Sequence, residues 1–165
     1  MIRIEATVAG KIGFASHQNA VPVLRELRIS AASSEGAPVE GLSLRLTADP
    51  PFLVPKTWLI DRLSPGDELE VSDRRVELNA EFLCDLTERI VGTLIFELIA
   101  SDGAQLERSV HSVELLAHNE WGGLASMAEL LPAFVMPNDP AVDRVVKAAS
   151  EVLRRAGKPH SVDLR

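Results

Sequence analysis

Tyrosine is absent from this chain of 165 residues, which has five Phe, two Trp and only one cysteine. Because platforms that stack single strands or sugars are built from several aromatic rings, that class of binding site is poorly supplied. A lone cysteine excludes an internal disulfide. These shortages exclude the tyrosine corner and the inter-sheet disulfide of antibody-type domains, so any immunoglobulin-like likeness must lie in the architecture alone.

Long apolar runs and basic blocks are also missing. No stretch approaches the roughly 20 apolar residues of a membrane span, and the N-terminus lacks a signal-peptide pattern, so we expect a soluble, cytoplasmic protein. With 24 acidic and 17 basic residues, the formal charge of -7 opposes contact with DNA or RNA, whose binding requires neutralised phosphates. We therefore expect no direct nucleic-acid partner and no membrane partner.

The residues that catalysis or metal binding would require do not form a recognisable motif. No Gly-x-Ser-x-Gly elbow is present, and Lys11 precedes a predicted strand, whereas a phosphate loop needs a helix there. The four histidines lack the spacing of a metal pair on a helix. Cys84 lies among apolar and acidic neighbours, which predicts a buried structural thiol. We predict no catalytic, cofactor-binding or metal-binding residue in this chain.

Apolar residues recur at every second position through most of the chain before His118. Alternating runs begin at Ile2, Val21, Leu42 and Leu53, and Gly, Pro and Asp residues separate them. A longer apolar run begins at Ile90 and returns after a hairpin turn. About eight strands at this short spacing predict a mainly β fold, an antiparallel β-sandwich of immunoglobulin-like architecture.

Two local features interrupt the alternation. Residues 79–87 place their apolar side chains on one side, which predicts a short helical turn between strands. The last strand, over residues 106–116, changes its apolar parity between Val110 and Val113. Since an extra residue in one strand shifts the parity of all that follow, this change predicts a β-bulge.

After Gly123 the apolar spacing changes to every third or fourth residue, which is typical of helices. Residues 124–135 predict one helix, which Pro132 kinks or ends. Asp139 and Pro140 form a strong start signal for a second helix. This second helix continues to about Ala156 and presents an apolar stripe of Val142, Val145, Val146, Ala149, Val152 and Leu153.

The predicted organisation is a β-sandwich domain over residues 1–117, a helical extension or linker over 118–157, and a tail over 158–165 that leads to a following domain. Because the stripe is too apolar to face water along its length, we expect it to pack against Leu130, Leu131 and Phe134. Any part that stays uncovered predicts a homodimer through this helix.

The corner that joins strands to helices is the segment from His118 to Gly123. A Trp between a charged residue and two glycines can anchor a protein partner in a pocket. It can equally cover the open end of the sandwich at a strand-to-helix turn, and both interpretations stay open. The candidate interaction residues are His118, Asn119, Glu120 and Trp121 of the corner, with Val145 and Val152 of the stripe.

Three segments resemble a known family. They are Gln18-Asn19-Ala20-Val21-Pro22 with Leu24-Arg25-Glu26-Leu27-Arg28-Ile29, the corner Glu114 to Gly123, and Ala133 to Asp143. These segments are similar to the N-terminal region of large bacterial multidomain proteins that resemble superfamily 1 DNA helicases, with transglutaminase-like and restriction-endonuclease-like domains further on. The resemblance covers most of the chain and brings no catalytic motif onto it. It implies that the helicase and nuclease motifs lie beyond Arg165.

Two functions follow from these observations. The resemblance implies a noncatalytic N-terminal interaction or scaffolding module of a DNA helicase-like protein. Its partners would be downstream domains of the same polypeptide or a separate protein. The alternative is a stand-alone small β-sandwich enzyme or ligand-binding protein. The negative charge, the few aromatic residues and the missing motifs favour the first. DNA repair and defence against foreign DNA both stay open as the role of the parent protein.

Overall fold

The computed structural model describes residues 2–31, 36–123, 127–128, 130–131 and 139–158. Two units separate within it, Met1–Leu130 and Leu131–Arg165. In chain order the strands are β1 (Ile2–Val8), β2 (Lys11–Ile12), β3 (Leu24–Ala31), β4 (Val39–Asp49), β5 (Lys56–Leu63), β6 (Glu68–Glu70), β7 (Ile90–Ile99) and β8 (Gln105–Leu115). All of these strands lie in the first unit, so the predicted mainly β fold is confirmed.

The strands form a three-stranded sheet in the order β1-β3-β6 and a five-stranded sheet in the order β2-β8-β7-β4-β5. Neighbouring strands pair antiparallel, except that β2 pairs parallel with the end of β8. This parallel pair departs from the purely antiparallel prediction. It arises because the chain passes from the first sheet to the second after Val8, where a hairpin would have kept it in the same sheet.

Residues from both sheets meet in one hydrophobic cluster. Leu27 and Ile29 of the three-stranded sheet are fully buried, as are Leu44, Phe96 and Leu115 of the five-stranded sheet. Each such side chain stabilises the folded state by about 1.5–3 kcal/mol through its removal from water. The alternation of the sequence therefore places every second residue of these strands in a shared core.

Two short helices, α1 (Phe14–Gln18) and α2 (Ala80–Asp85), connect strands of the first unit. Helix α2 confirms the predicted helical turn, and the Asn79 side chain caps it by accepting a hydrogen bond from the Phe82 amide at 3.1 Å. The prediction of a buried Cys84 was wrong, since its thiol is exposed. Leu83 is the residue that α2 buries, and the next position along a helix points about 100° away from it.

The β-bulge predicted between Val110 and Val113 was also wrong. Both residues keep regular register with β7, and the register shift lies instead at Leu106, opposite Leu98 and Ile99. The parity change has a different cause, because Val110 lies on the outer face of the sheet and is 48% exposed, whereas Val113 is buried. A valine that faces solvent produced the pattern that an inserted residue would have produced.

The second unit contains helix α3 (Pro140–Arg155). It begins where the sequence predicts, because the Asp139 side chain accepts a hydrogen bond from the Ala141 amide at 2.6 Å. Phe134 and much of the predicted helix over 124–135 lie outside the described residues. Helix α3 is too short and too polar to cross a lipid bilayer, and the same holds for every other helix in the described part of the chain.

Candidate functional site

The corner is joined to the first unit by its own main chain. His118 is exposed, yet its amide donates to the carbonyl oxygen of Leu86 at 2.8 Å, and its ring Nδ1 lies 3.0 Å from the same oxygen. Asn119 is exposed at the turn that follows. The amide of Glu120 then donates to the carbonyl of Ala117 at 2.9 Å. Three of the predicted candidates therefore form one turn against the loop after α2.

Four charged side chains from separate segments form an ion-pair network beside this turn. Arg89 Nε donates to Glu120 Oε1 at 3.0 Å, and Arg89 Nη1 donates to Glu114 Oε2 at 3.3 Å. Lys11 Nζ lies 3.6 Å from the same oxygen of Glu114. The hydrogen bond from Arg89 lowers the pKa of the Glu120 carboxyl, and Glu120 raises the pKa of Arg89. The network connects the start of β7 to the corner.

Trp121 is partly buried, and its indole Nε1 donates to the carbonyl oxygen of Met127 at 2.6 Å. Met127 is buried, as is Leu116. A Cβ atom on Gly122 would collide with the Met127 side chain, so only glycine permits this close approach. The polar edge of the indole is therefore engaged within the first unit, while part of the ring remains at the surface.

The other two candidates, Val145 and Val152, lie on α3 in the second unit and are 69% and 64% exposed. Val142, on the same helix face, is 37% exposed. Within the described helix no residue is buried. The apolar stripe that the sequence predicts is therefore a surface feature of α3.

A groove of about 1300 Å³ lies between the connection from α1 to β3 and the segment 72–78. Its walls combine apolar residues such as Val21 and Val54 with the cationic side chains of Arg25 and Arg75. Sequence reasoning missed this groove because the lining residues come from segments far apart in the chain. The local signal in the sequence is the charged stretch at residues 73–75.

The segment 72–76 forms one wall of the groove, and two side chains of β5 hold it. Lys56 Nζ donates to Asp73 Oδ2 at 2.8 Å and also to the carbonyl of Arg75. Trp58 Nε1 donates to the carbonyl of Asp73 at 2.7 Å, and the Lys56 ammonium lies 5.1 Å from the Trp58 ring centroid. The hydrogen bond from Lys56 lowers the pKa of the Asp73 carboxyl. These contacts order a segment that has no strand partner of its own.

Side chains that commonly bind metals are dispersed over the first unit. His17 stacks on Phe14 with ring centroids 6.2 Å apart, and His111 meets the Phe96 ring edge-on at 5.7 Å. Cys84 is exposed on α2. In the part of the chain that the structure describes, no three His, Cys, Asp or Glu side chains are grouped so that they could hold a metal ion.

No family model matches the chain, and no curated protein matches it with significance. The likeness to helicase-associated N-terminal regions therefore depends on the three segments named above.

Proposed function

We propose that this chain is a noncatalytic interaction or scaffolding module of a cytoplasmic bacterial multidomain protein related to DNA helicases. The uncovered apolar face of α3 is the observation that carries the interaction role. Val145 and Val152 expose more than half of their surface, and no residue of the described helix is buried. A contiguous apolar face of this kind marks a surface that another protein covers.

Energy and charge both favour a protein partner for this face. Complete burial of an exposed valine stabilises an association by about 1.5 kcal/mol, so a few valines together make a substantial contribution. The charged residues of α3 are the cations Arg144, Lys147, Arg154 and Arg155 and the acids Asp143 and Glu151. The helix is thus positively charged on a chain whose net charge is -7. An acidic protein surface is its electrostatic complement.

The proposal includes an immunoglobulin-like arrangement of the two sheets. The chain crosses between the sheets several times, with β1, β3 and β6 in one sheet and β2, β4, β5, β7 and β8 in the other, and such crossings favour a Greek-key arrangement. The hydrophobic cluster that both sheets share also favours this arrangement. Such sandwiches serve many unrelated binding functions, so the architecture is compatible with an interaction module and specifies no reaction.

The relation to helicase-like proteins is proposed from the resemblance of residues 18–29, 114–123 and 133–143. The genomic reading frame after Arg165 tests it directly. A frame that continues into a phosphate-binding loop of the form Gly-x-x-x-x-Gly-Lys-Ser/Thr supports the proposed parent protein. A stop codon at that point contradicts the parent and favours the stand-alone alternative.

One observation favours a ligand-binding function as the second candidate. The groove beside β5 combines apolar walls with Arg25 and Arg75, a mixture that suits an amphipathic carboxylate. Thermal melting with decanoate, and with decanol as the uncharged counterpart, tests this candidate. Binding predicts a rise in Tm with decanoate that Arg25→Ala reduces, whereas equal effects of the two probes contradict it.

The interaction role is tested by the mass of the chain in solution. At concentrations of about 100 µM we expect the full chain to self-associate through α3, because a second copy is the available apolar partner. The double variant Val145→Glu/Val152→Glu should be monomeric, since it places two carboxylates within the apolar stripe. Size-exclusion chromatography with light scattering measures the mass of both proteins.

The matched control is Arg144→Ala/Lys147→Ala. It changes the net charge by the same two units on the polar face of α3 and should leave the association intact. Circular dichroism verifies that the helix forms in each variant. If both double variants have the mass of the wild type while α3 is folded, the stripe is not an association surface.

A further inference from the structure

Most of the outer edge of β8 has no strand hydrogen-bonded to it in the described part of the chain, although β1 passes close to β8. On one side β8 pairs with β7 along its whole length, and on the other side β2 pairs only with Glu114 and Leu115. The chain that precedes β2 belongs to the other sheet, as β1. The edge from Gln105 to Val113 is therefore open in the sense that no strand ladder uses its main-chain groups, and such an edge is a template for another strand.

The direction of the main-chain groups shows which amides and carbonyls are available for hydrogen bonds at this edge. The amides of Glu114 and Leu116 point to the β2 side, where they donate to Gly10 and Ile12 at 2.9 Å and 2.8 Å. Because main-chain groups alternate between the two sides of a strand, those of Arg108, Val110 and Ser112 point to the same side. They have no main-chain partner among the residues that the structure describes.

A row of alternating charges on the outer face of the sheet ends at this edge. Arg45 of β4, Glu97 of β7 and Arg108 of β8 lie directly opposite one another. Arg108 Nε is 3.9 Å from Glu97 Oε1, and the Arg108 side chain is 47% exposed. Opposite charges on adjacent strands stabilise a sheet, so the next position in this row suits an acidic residue.

The neighbouring row is apolar and β-branched. Thr47 of β4, Ile95 of β7 and Val110 of β8 are directly opposite one another, and Val110 is 48% exposed at the end of the row. Leu106, on the other side of Arg108, is 37% exposed. The next strand would therefore place a β-branched residue opposite Val110, two positions from its acidic residue.

The inner side of the open edge is polar. Glu107, Ser109 and His111 are partly exposed there, and Ser109 Oγ lies 3.0 Å from His111 Nε2. A strand added at this edge would therefore carry small polar residues on its inner side. The sequence of the added strand would therefore alternate apolar and polar residues on either side of one acidic residue.

We propose that an extended segment of a partner protein adds to the open edge of β8 as a further strand, with a carboxylate opposite Arg108 and a β-branched residue opposite Val110. The inference rests on the proposed interaction role and assigns it a second surface, separate from the apolar stripe of α3. Main-chain hydrogen bonds supply the affinity of such strand addition, and the alternate side chains supply its specificity.

The free edge of β5 is the competing location. Thr57, Leu59 and Asp61 occupy the outer face of that strand, and Leu59 is 82% exposed. The row that contains Arg45 ends there at Thr57, so that row presents no charge at the β5 edge, and Asp61 would suit a basic residue, not an acidic one. The β8 edge is favoured because Arg108 and Val110 end two rows, one charged and one β-branched, that cross the sheet from β4.

The probe is the acetylated and amidated peptide Thr-Val-Ser-Glu-Ser-Val-Thr, whose palindromic order fits either strand direction. Amide exchange monitored by NMR on the full chain should show protection at Arg108, Val110 and Ser112 when the peptide is added at up to millimolar concentration. The replacement of Glu by Lys in the peptide should weaken binding about threefold to tenfold. Arg108→Glu should reverse that preference.

Two proline substitutions distinguish peptide binding at the edge of β8 from peptide binding at the edge of β5. Val110→Pro removes an amide that points to the open edge of β8 and should abolish peptide binding, while Leu59→Pro removes the equivalent amide of β5 and should leave binding unchanged. The proposal is overturned if the peptide protects amides of β5, or if it protects no amide at all. It is also overturned if Arg108→Glu still prefers the peptide with Glu to the peptide with Lys. The association through α3 is measured separately, so it can survive that result.

Discussion

The indole N–H of Trp58 donates to the main-chain carbonyl of Asp73 across 2.7 Å. Lys56, two residues earlier on β5, binds the carboxylate of the same aspartate at 2.8 Å. A segment that lacks a strand ladder thus obtains its hydrogen-bond partners from side chains of the neighbouring strand. The wall of the groove is held by these contacts, and its stability should depend on them.

Trp58→Phe tests that dependence. The variant keeps most of the buried ring but leaves the Asp73 carbonyl without its donor, so the free energy of unfolding should fall by about 1–2 kcal/mol. Urea denaturation measures the loss, and amide exchange should accelerate in residues 72–76. Leu59→Ala, at a neighbouring position that is 82% exposed, should change stability by less than about 0.5 kcal/mol. Equal effects of the two variants would show that the hydrogen bond has no stabilising role.

The pairing of Glu120 with Arg89 predicts a pH dependence of stability. Arg89 lowers the pKa of Glu120 below its ordinary value of 4.5. A carboxyl whose pKa is lower in the folded state stabilises fully above the unfolded pKa, and the stabilisation is lost as the pH falls through the folded pKa. Glu120→Gln should therefore be less stable than the wild type at pH 7, and the difference should shrink below about pH 4.5.

Urea titrations between pH 7 and pH 2 measure this difference. Both side chains are partly exposed, Arg89 at 47% and Glu120 at 28%, so salt should reduce the effect at pH 7. Glu88→Gln, on an exposed carboxylate next to Arg89, is the matched control. A difference between Glu120→Gln and the wild type that stays constant down to pH 2 would contradict a role for the ionised carboxylate.

Trp121 variants separate the two interpretations of the corner. Because the indole is partly buried and donates to Met127, Trp121→Ala should cost about 2–3 kcal/mol, somewhat less than the truncation of a fully buried aromatic residue. Trp121→Phe retains much of the packing and should cost about 1 kcal/mol. An unchanged melting temperature for Trp121→Ala would instead support the interpretation as an exposed anchor.

Gly92 should tolerate no side chain. A Cβ atom there would lie 2.8 Å from Phe52 Cε1 and 2.9 Å from Leu115 Cδ1, both within the core. Gly92→Ala should therefore destabilise the protein by about 1–3 kcal/mol through overpacking. Gly10→Ala is the matched control, because no atom lies within 4 Å of its added methyl group and its backbone is not in the left-handed region. Similar melting temperatures for the two variants would contradict the close packing at β7.

DNA binding by the full chain should be weak, since the net charge of -7 opposes contact with phosphates. Fluorescence anisotropy with a labelled duplex at 150 mM salt measures the affinity. A submicromolar Kd that weakens steeply with salt would contradict this expectation and move the functional proposal toward direct nucleic-acid recognition.

The sequence by itself determined most of the strands, the helical turn that forms α2 and the start of α3. The alternation of Leu42, Leu44 and Leu46 predicts a strand because the period of two belongs to the extended backbone itself. Asp139 and Pro140 predict the start of α3 because capping is a property of adjacent residues. These features need no information from distant parts of the chain.

Only the tertiary structure decided which distant segments meet. Helix α1 has no apolar period to reveal it, and it forms where the Gly13 amide donates to Ser16 Oγ at 3.2 Å. The parallel pairing of β2 with β8, the contact of Trp58 with Asp73 and the open edge beside Arg108 all depend on strand order. Strand pairing joins residues far apart in sequence, and its free energy comes from a core that exists only once the sheets have formed.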